Sequence, residues 1–164
     1  MMTNILVRKA ALEDLTIVSD ILYEAASWLK QRNITLWGER EISTKVVLSD
    51  IQSDLFYIAF CEDIAAGVVK FQTEDLVFWS DVPHQDSAFI HRLAVRRSFA
   101  GGSVSTALMR WAVNHSRQLG KRYLRLDCDA KRTSLRSIYE NFGFRHHSDK
   151  RVGSYFVARY EYKI

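Results

Sequence analysis

Apolar positions recur along this chain with two periods, and the switches between them mark out its elements. Ile5-Leu6-Val7-Arg8-Lys9 reads as a short strand. Leu15, Val18, Leu22, Ala25 and Leu29 then recur at steps of three and four, which predicts one stripe of an amphipathic helix. Glu13 and Asp14 fall in its first turn, where negative charge suits the helix dipole. Residues 33–38 break the pattern, and a second helix is expected over residues 43–51. Residues 55–61 form an apolar strand, Glu62-Asp63 a turn, and residues 66–71 the hairpin partner. Residues 73–87 are polar, hold the only proline, Pro83, and read as a loop. A strand follows over residues 88–95.

The next helix is the most regular. Val104, Ala107, Leu108, Trp111, His115 and Leu119 are expected on one face, with Ser103 as N-cap and Gly120 as the stop. Residues 123–128 alternate as a strand. A further helix over residues 134–141 carries Leu135, Ile138, Tyr139 and Phe142 on one stripe and is closed by Gly143. Two strands follow, one from Phe144 and one over residues 154–160. The order β-α-α-β-β-β-α-β-α-β-β describes an α/β fold, a mixed sheet of about seven strands flanked by about four helices. A length of 164 residues suits one domain over 1–164 with a real core.

Composition narrows the class. Apolar residues make up 48% of the chain and charged residues 26%, as in a soluble globular protein. No apolar run approaches the roughly 20 residues needed to span a bilayer. Met1-Met2-Thr3-Asn4 lacks the basic patch and apolar stretch of a signal peptide. Cys61 and Cys128 both lie in strand-like runs and read as reduced core residues, which fits a cytoplasmic protein. No Cys/His spacing implies a metal site; His146-His147 has no third ligand spaced for it.

The net charge of +4 conceals a division. Residues 1–91 hold 7 Lys/Arg against 14 Asp/Glu, whereas residues 92–136 hold 11 against 2. An acidic first half and a basic middle imply a cationic partner for one and an anionic partner for the other. The basic segment holds the chain's most informative stretch. A strand ending Leu93-Ala94-Val95 runs through Arg96-Arg97 into the small-residue turn Ala100-Gly101-Gly102-Ser103-Val104-Ser105 and a helix start. Backbone N–H groups without intrahelical partners at such a start are a site for phosphate or pyrophosphate. Arg96-Arg97 and Lys131-Arg132 are placed to add positive charge.

These features, with the tail Tyr139-Glu140-Asn141-Phe142-Gly143-Phe144, resemble the GNAT acetyltransferase superfamily across nearly the whole chain. The resemblance implies that amides of Ala100, Gly101, Gly102, Ser103, Val104 and Ser105 hold the pyrophosphate of acetyl-coenzyme A. The family's turn has Gln or Arg where this chain has Ala100, and glycine or alanine where it has Ser103 and Ser105. The resemblance further implies that the pantetheine arm pairs with Leu93, Ala94 and Val95 like an added strand. An N–H there would face the thioester carbonyl. Tyr139 becomes the candidate general acid for the leaving thiolate, although its apolar stripe also suits a core tyrosine. Arg132 stands seven residues before it and is a candidate phosphate contact.

A general base is less determined. Asp127 and Asp129 share one strand face by period-two spacing, and Asp127 is the candidate carried forward. Each also suits a structural acceptor role for the following loop. His91, two residues before Leu93, is expected to share its face. Trp28, Trp37 and Trp79 are candidates to shape an acceptor pocket, Trp37 foremost because it lies in the break between the first two helices, with core packing the default for each.

The reading is an N-acetyltransferase that moves an acetyl group from acetyl-coenzyme A to a primary amine by direct attack in a ternary complex. The acceptor is a small-molecule or peptide amine, with a cationic one favoured by the acidic half; no metal, nucleic acid or membrane is implied. A homodimer is compatible. The alternative is an acyl-coenzyme A binding or sensing module without turnover. A nucleic-acid binder would use the basic segment, but no stacking strand or helix-turn-helix pattern accompanies it.

Overall fold

The structure, a computed structural model, describes residues 4–164. Its elements are β1 (Ile5–Lys9), α1 (Leu15–Lys30), α2 (Thr44–Gln52), β2 (Phe56–Cys61), β3 (Ile64–Gln72), β4 (Ser87–Val95), α3 (Val104–Gln118), β5 (Tyr123–Asp129), α4 (Thr133–Phe142), β6 (Arg145–Val152) and β7 (Tyr155–Lys163). Single 3-10 turns precede α1 at Leu12–Asp14 and follow β4 at Arg97–Phe99. Among the described residues the strands form a seven-stranded mixed sheet in the order β1-β2-β3-β4-β5-β7-β6. The element order is the one read from the sequence. No helix among the described residues is long and apolar enough to cross a membrane.

The chain divides into two compact units, residues 1–70 with 92–109 and residues 71–91 with 110–164. In the first, β1, β2 and β3 pair antiparallel in sequence. Val18, Ile21 and Leu22 of α1 and Val47 and Ile51 of α2 bury against Phe56, Ile58, Val68 and Ala94. That is the core expected when a period-3.6 stripe lies on a period-2 face. Ser43 caps α2, its hydroxyl accepting from Val46 N–H at 3.4 Å. At Gly67 of β3, an added Cβ would meet Ala94 O at 2.9 Å, Val104 Cγ1 at 3.0 Å and Leu108 Cδ1 at 3.2 Å. Glycine is what lets the start of α3 settle so close to this strand.

In the second unit, β5 pairs antiparallel with β7, and β7 with β6. β4 joins β5 in parallel through three rungs, Ser87–Tyr123, Ala88–Leu124 and Phe89–Arg125. Trp79, Phe89, Leu124, Leu126 and Tyr160 are fully buried. Rings of Tyr139, Phe142, Phe144 and Tyr162 pack where α4 meets the last two strands. Buried Arg125 is matched by Glu161 at 3.1 Å and donates to Ser87 Oγ.

Two stripes differ from the pattern expected of them. On α3 the buried residues are Val104, Leu108, Met109, Ala112, Val113 and Ser116, while Leu119 is exposed. Ser116 is buried because its hydroxyl donates to Ala112 O at 2.7 Å, so it leaves no unpaired donor. Leu119 lies past the helix end, where Gly120 at φ 73 turns the chain. Lys121 N–H bonds Ser116 O and Gly120 N–H bonds Arg117 O, the paired closure of a glycine-stopped helix. On α4, Tyr139 is buried but Ile138 is exposed.

Candidate functional site

The turn leading into α3 is built by the end of β4. Arg96 N–H donates to Ala66 O at 2.8 Å, and its side-chain Nε donates to Ala65 O at 3.1 Å. Arg97 N–H donates to Glu24 Oε2 at 2.8 Å, and its guanidinium lies 3.6 Å from the Trp28 ring centroid. Both cations expected to serve the turn are therefore engaged with α1 and β3: Arg96 is also 3.6 Å from Glu24. Trp28 carries a second guanidinium, Arg32, at 3.8 Å. The tryptophan is thus an anchor for arginines.

Beyond this anchor, Gly101 takes φ 75, a left-handed conformation that side chains disfavour, and nothing lies within 4 Å of where its Cβ would stand. Gly102 N–H closes on Phe99 O at 3.4 Å. Ser103 accepts from Ala107 N–H at 2.9 Å through its backbone carbonyl, so α3 starts at Val104. The N–H groups of Val104, Ser105 and Thr106 then have no acceptor within the helix and point out of its first turn. Gly101, Gly102 and Ser103 are exposed. Such a turn can hold an anion through its backbone alone. Ser103 and Ser105 supply N–H groups as glycine would. Ala100 supplies no side-chain donor.

Upstream in β4, Arg92 has φ 54. A left-handed residue breaks strand alternation, so the expected common face of His91 and Leu93 is not set by period two. Arg92 reaches Glu41 at 3.3 Å, with its guanidinium 5.5 Å from the Trp37 ring. Leu93 and Val95 are half-buried, and Ala94 is buried.

The second unit holds a cluster of three ionisable side chains. His91 Nε2 lies 2.9 Å from Asp75 Oδ2, and His91 Nδ1 lies 4.0 Å from Asp127 Oδ2. Asp127 Oδ2 also accepts from Trp79 Nε1 at 3.3 Å. The Asp75 and Asp127 side chains are only 5% and 8% exposed, which makes an imidazole between two carboxylates the dominant local electrostatic feature. His91 and Asp127 stand just past the last β4–β5 rung, at Phe89 and Arg125, where the two strands no longer pair directly.

Asp75 is held for this role. Its Oδ1 accepts from Val77 N–H at 3.0 Å and Phe78 N–H at 2.9 Å, an Asx turn that fixes the loop. Burial works against its charge, but His91 and these two amides outweigh it and keep the carboxyl below its ordinary range. Farther along, Arg159 donates to Phe78 O at 3.0 Å and to both oxygens of Asp81 at 2.7 and 3.0 Å. That bidentate pair holds Asp81 well below the usual carboxylate range. Trp79, a pocket candidate whose default is core packing, is fully buried and donates to Asp127.

Tyr139 sits on the buried side of α4, its ring 6.0 Å from Phe144 and 6.3 Å from Tyr160. Burial above all, with the Asp127 carboxylate adding to it, pushes its phenol strongly upward, while Arg132 pulls it down. The phenol therefore keeps its proton at neutral pH. Cys128 is buried as expected, and burial with Asp127 pushes its thiol up to about 12, so it is no nucleophile. Asp129, the alternative to Asp127, is exposed and accepts from Lys131 N–H at 2.9 Å, serving the loop before α4. Arg132 occupies the N-cap position of α4 and is half-buried. His146 pairs with Asp149 at 2.8 Å, and His147 with Ser148 Oγ at 2.8 Å.

Asp75 is the one member of the cluster that sequence reasoning missed. Its signal is the Asp-x-x pattern of an Asx turn in an otherwise featureless polar stretch.

A family model described as the acetyltransferase (GNAT) family matches residues 20–144. A Bacillus subtilis (strain 168) protein named as the uncharacterized N-acetyltransferase YesJ is 29% identical over 141 residues, covering 82% of this chain and 78% of its own. Among solved structures, a GNAT-family acetyltransferase from Listeria monocytogenes 4b F2365 superposes with a TM-score of 0.82 at 23% identity, covering 100% of this chain and 99% of that one. The PaiA N-acetyltransferase of Thermoplasma acidophilum, solved in complex with coenzyme A, superposes with a TM-score of 0.77 at 21% identity, covering 98% and 99%.

Proposed function

This chain belongs to the acetyltransferase (GNAT) family, and we propose that it moves an acetyl group from acetyl-coenzyme A to a primary amine by direct attack in a ternary complex. A single domain over residues 1–164 carries the whole activity in this reading. The observation that supports it is that one unit holds both a buried tyrosine that keeps its proton, Tyr139, and an imidazole between two carboxylates, Asp75–His91–Asp127. The reading takes the first as acid and the second as base.

Acetyl-coenzyme A supplies an activated thioester, which leaves the protein three tasks. The first is grip. The backbone N–H groups of residues 101–105 suit a diphosphate, and open space at Gly101 fits an approaching anion. Leu93, Ala94 and Val95 are the backbone proposed to pair with the pantetheine arm, and Arg132 a phosphate contact. The second task is removal of a proton from the acceptor ammonium. Asp127 is the proposed base, with His91 and Asp75 behind it to share the charge. The third is protonation of the leaving thiolate. Tyr139 gives its hydroxyl proton to the sulfur, and the second proton that the nitrogen sheds as the amide forms restores the phenol. The new bond joins the amine nitrogen to the acetyl carbon as the carbon–sulfur bond breaks. No cysteine is placed for a covalent intermediate: Cys128 is buried as a thiol.

The acceptor in this reading is a small-molecule or peptide amine that arrives as a cation, matched by two carboxylates at the cluster. The test is thiol release from acetyl-coenzyme A by the purified chain across a panel of primary amines, with the acetylated amine identified by mass. Thiol release that depends on the amine and yields that product supports transfer. Binding of acetyl-coenzyme A with no thiol release for any amine would favour the sensing module.

A further inference from the structure

The loop between β3 and β4 is tied down at several points, yet it holds two aliphatic side chains in water. Asp75 pins its start through Val77 and Phe78 N–H. Arg159 pins its middle through Phe78 O and Asp81, and Lys150 adds a contact to Asp81 at 3.5 Å. His84 Nε2 lies 3.0 Å from Trp79 O, and Trp79 itself is fully buried. Within this rigid frame Leu76 is 66% exposed and Val77 61%. Their exposure is therefore a product of a fixed conformation. Contiguous exposed apolar surface on a fixed element marks a contact site.

The patch leads back to the carboxylates. Leu76 and Val77 directly follow Asp75, whose carboxylate points inward to His91. The Phe78 ring lies 6.3 Å from the His91 ring and 6.1 Å from that of Tyr155, which begins β7 and is itself 42% exposed. A path of rings thus runs from the imidazole through Phe78 to the half-exposed Tyr155, with Leu76 and Val77 exposed on the same loop as Phe78. Asp127 at one end, with Asp75 behind His91, suits a single ammonium; leucine, valine, phenylalanine and tyrosine at the other suit hydrocarbon. A polycation would find its second charge against apolar side chains, which offer it nothing in exchange for its water.

Resting on the acetyl-transfer reading above, we propose that the acceptor is a primary amine carrying an extended apolar arm, with the arm lying on Leu76, Val77, Phe78 and Tyr155. The amine end meets the Asp75–His91–Asp127 cluster. The loop therefore selects the acceptor, and its rigidity spares the ordering cost of binding.

Two measurements test this together. In the first, thiol release is followed with n-alkylamines from ethylamine to hexylamine and with terminal diamines of equal length. The proposal expects kcat/KM to rise roughly two- to fourfold per methylene, as burial of CH2 groups requires, and each diamine to fall at least tenfold behind its monoamine. Leu76→Ser with Val77→Ser flattens the rise, whereas Leu6→Ser, a change at an exposed leucine of β1, leaves it intact. A flat series, or preference for diamines, overturns the proposal. In the second, the Leu76 and Val77 methyl resonances of the full chain are followed while hexylamine is added with coenzyme A present. Saturable shifts with hexylamine and none with ethylamine support the apolar site even if no amine is acetylated, which would instead sink the transfer reading. Unmoved methyls overturn the proposal whatever the turnover.

Discussion

His91 and Asp75 meet at 2.9 Å, Nε2 to Oδ2, although one ends a half-strand and the other opens a loop 16 residues earlier. This contact fixes the imidazole from behind. With Nε2 turned to Asp75, Nδ1 is the nitrogen that faces Asp127, 4.0 Å away. A proton arriving at Asp127 therefore enters a row of three groups in which a positive charge on the central ring is flanked by carboxylates on both sides.

If Asp127 takes the acceptor's proton, Asp127→Asn lowers kcat by about 10²-fold or more, the usual worth of a general base. His91→Gln lowers it less, because Asp127 keeps its carboxylate but loses the ring beside it. Asp75→Asn lowers it less again. Steady-state rates from pH 5.5 to about 9.5 check all three. A wild-type rate and profile in Asp127→Asn would remove the base assignment.

Tyr139→Phe keeps the ring among Phe144 and Tyr160 and removes only the hydroxyl. The variant is expected to fold and to bind coenzyme A normally, with kcat lowered about 10- to 100-fold. The loss should be smallest with a thioester whose thiol is more acidic, because that leaving group needs no acid. Equal losses for both thioesters would assign Tyr139 to packing.

Gly67→Ala places a methyl against a backbone carbonyl at 2.9 Å and against two α3 side chains. Overpacking of this kind costs about 1–3 kcal/mol. The carbonyl belongs to Ala94 and Val104 opens α3, so the displaced groups belong to the strand and helix start proposed for coenzyme A. Denaturant melts should register the loss, and KM for acetyl-coenzyme A should rise while kcat holds.

Helices, strands and the glycine turn before α3 were legible in the sequence because each depends on local spacing. Stripes on α1 and α2 bury as their periods require, and glycine at 101 takes the left-handed turn. Asp75 was hidden because no period marks residues 73–87; its meaning depends on a partner in another element. Arg96 and Arg97 read as charges awaiting a phosphate, but Ala65, Glu24 and Trp28 claim them through contacts that only the fold creates. Leu119 and Ile138 fit their stripes by number yet face water, one beyond its helix end and one beside the buried Tyr139. Trp79 packs in the core, the default for a tryptophan, and its contact with Asp127 depends on a partner in another element.

Stability should fall with acid in two stages. His115 packs against Phe71 and Trp111, and burial lowers its titration below the ordinary range. A histidine lowered in the fold contributes fully above its unfolded value, near pH 6.5, and that contribution is lost as pH falls through its folded value. Asp14, held down by Arg8, and Asp81, held down by Arg159, contribute fully above about pH 4 and lose it only as pH falls through their still lower folded values. Urea melts between about pH 3 and 8 should resolve a shallow step followed by a steep one. His147, also lowered by burial, adds to the shallow step, so His115→Phe should shrink that step without removing it and leave the steep one.

The central claim is that peptide amides of residues 101–105 hold the diphosphate of coenzyme A. Calorimetric titration of the purified chain with coenzyme A and with pantetheine, which lacks the nucleotide and diphosphate, tests it most directly. Coenzyme A should bind at least tenfold more tightly, and Gly102→Glu, which sets a carboxylate against the anion, should erase that difference. Equal affinity for the two compounds, or no heat with either, would contradict the account.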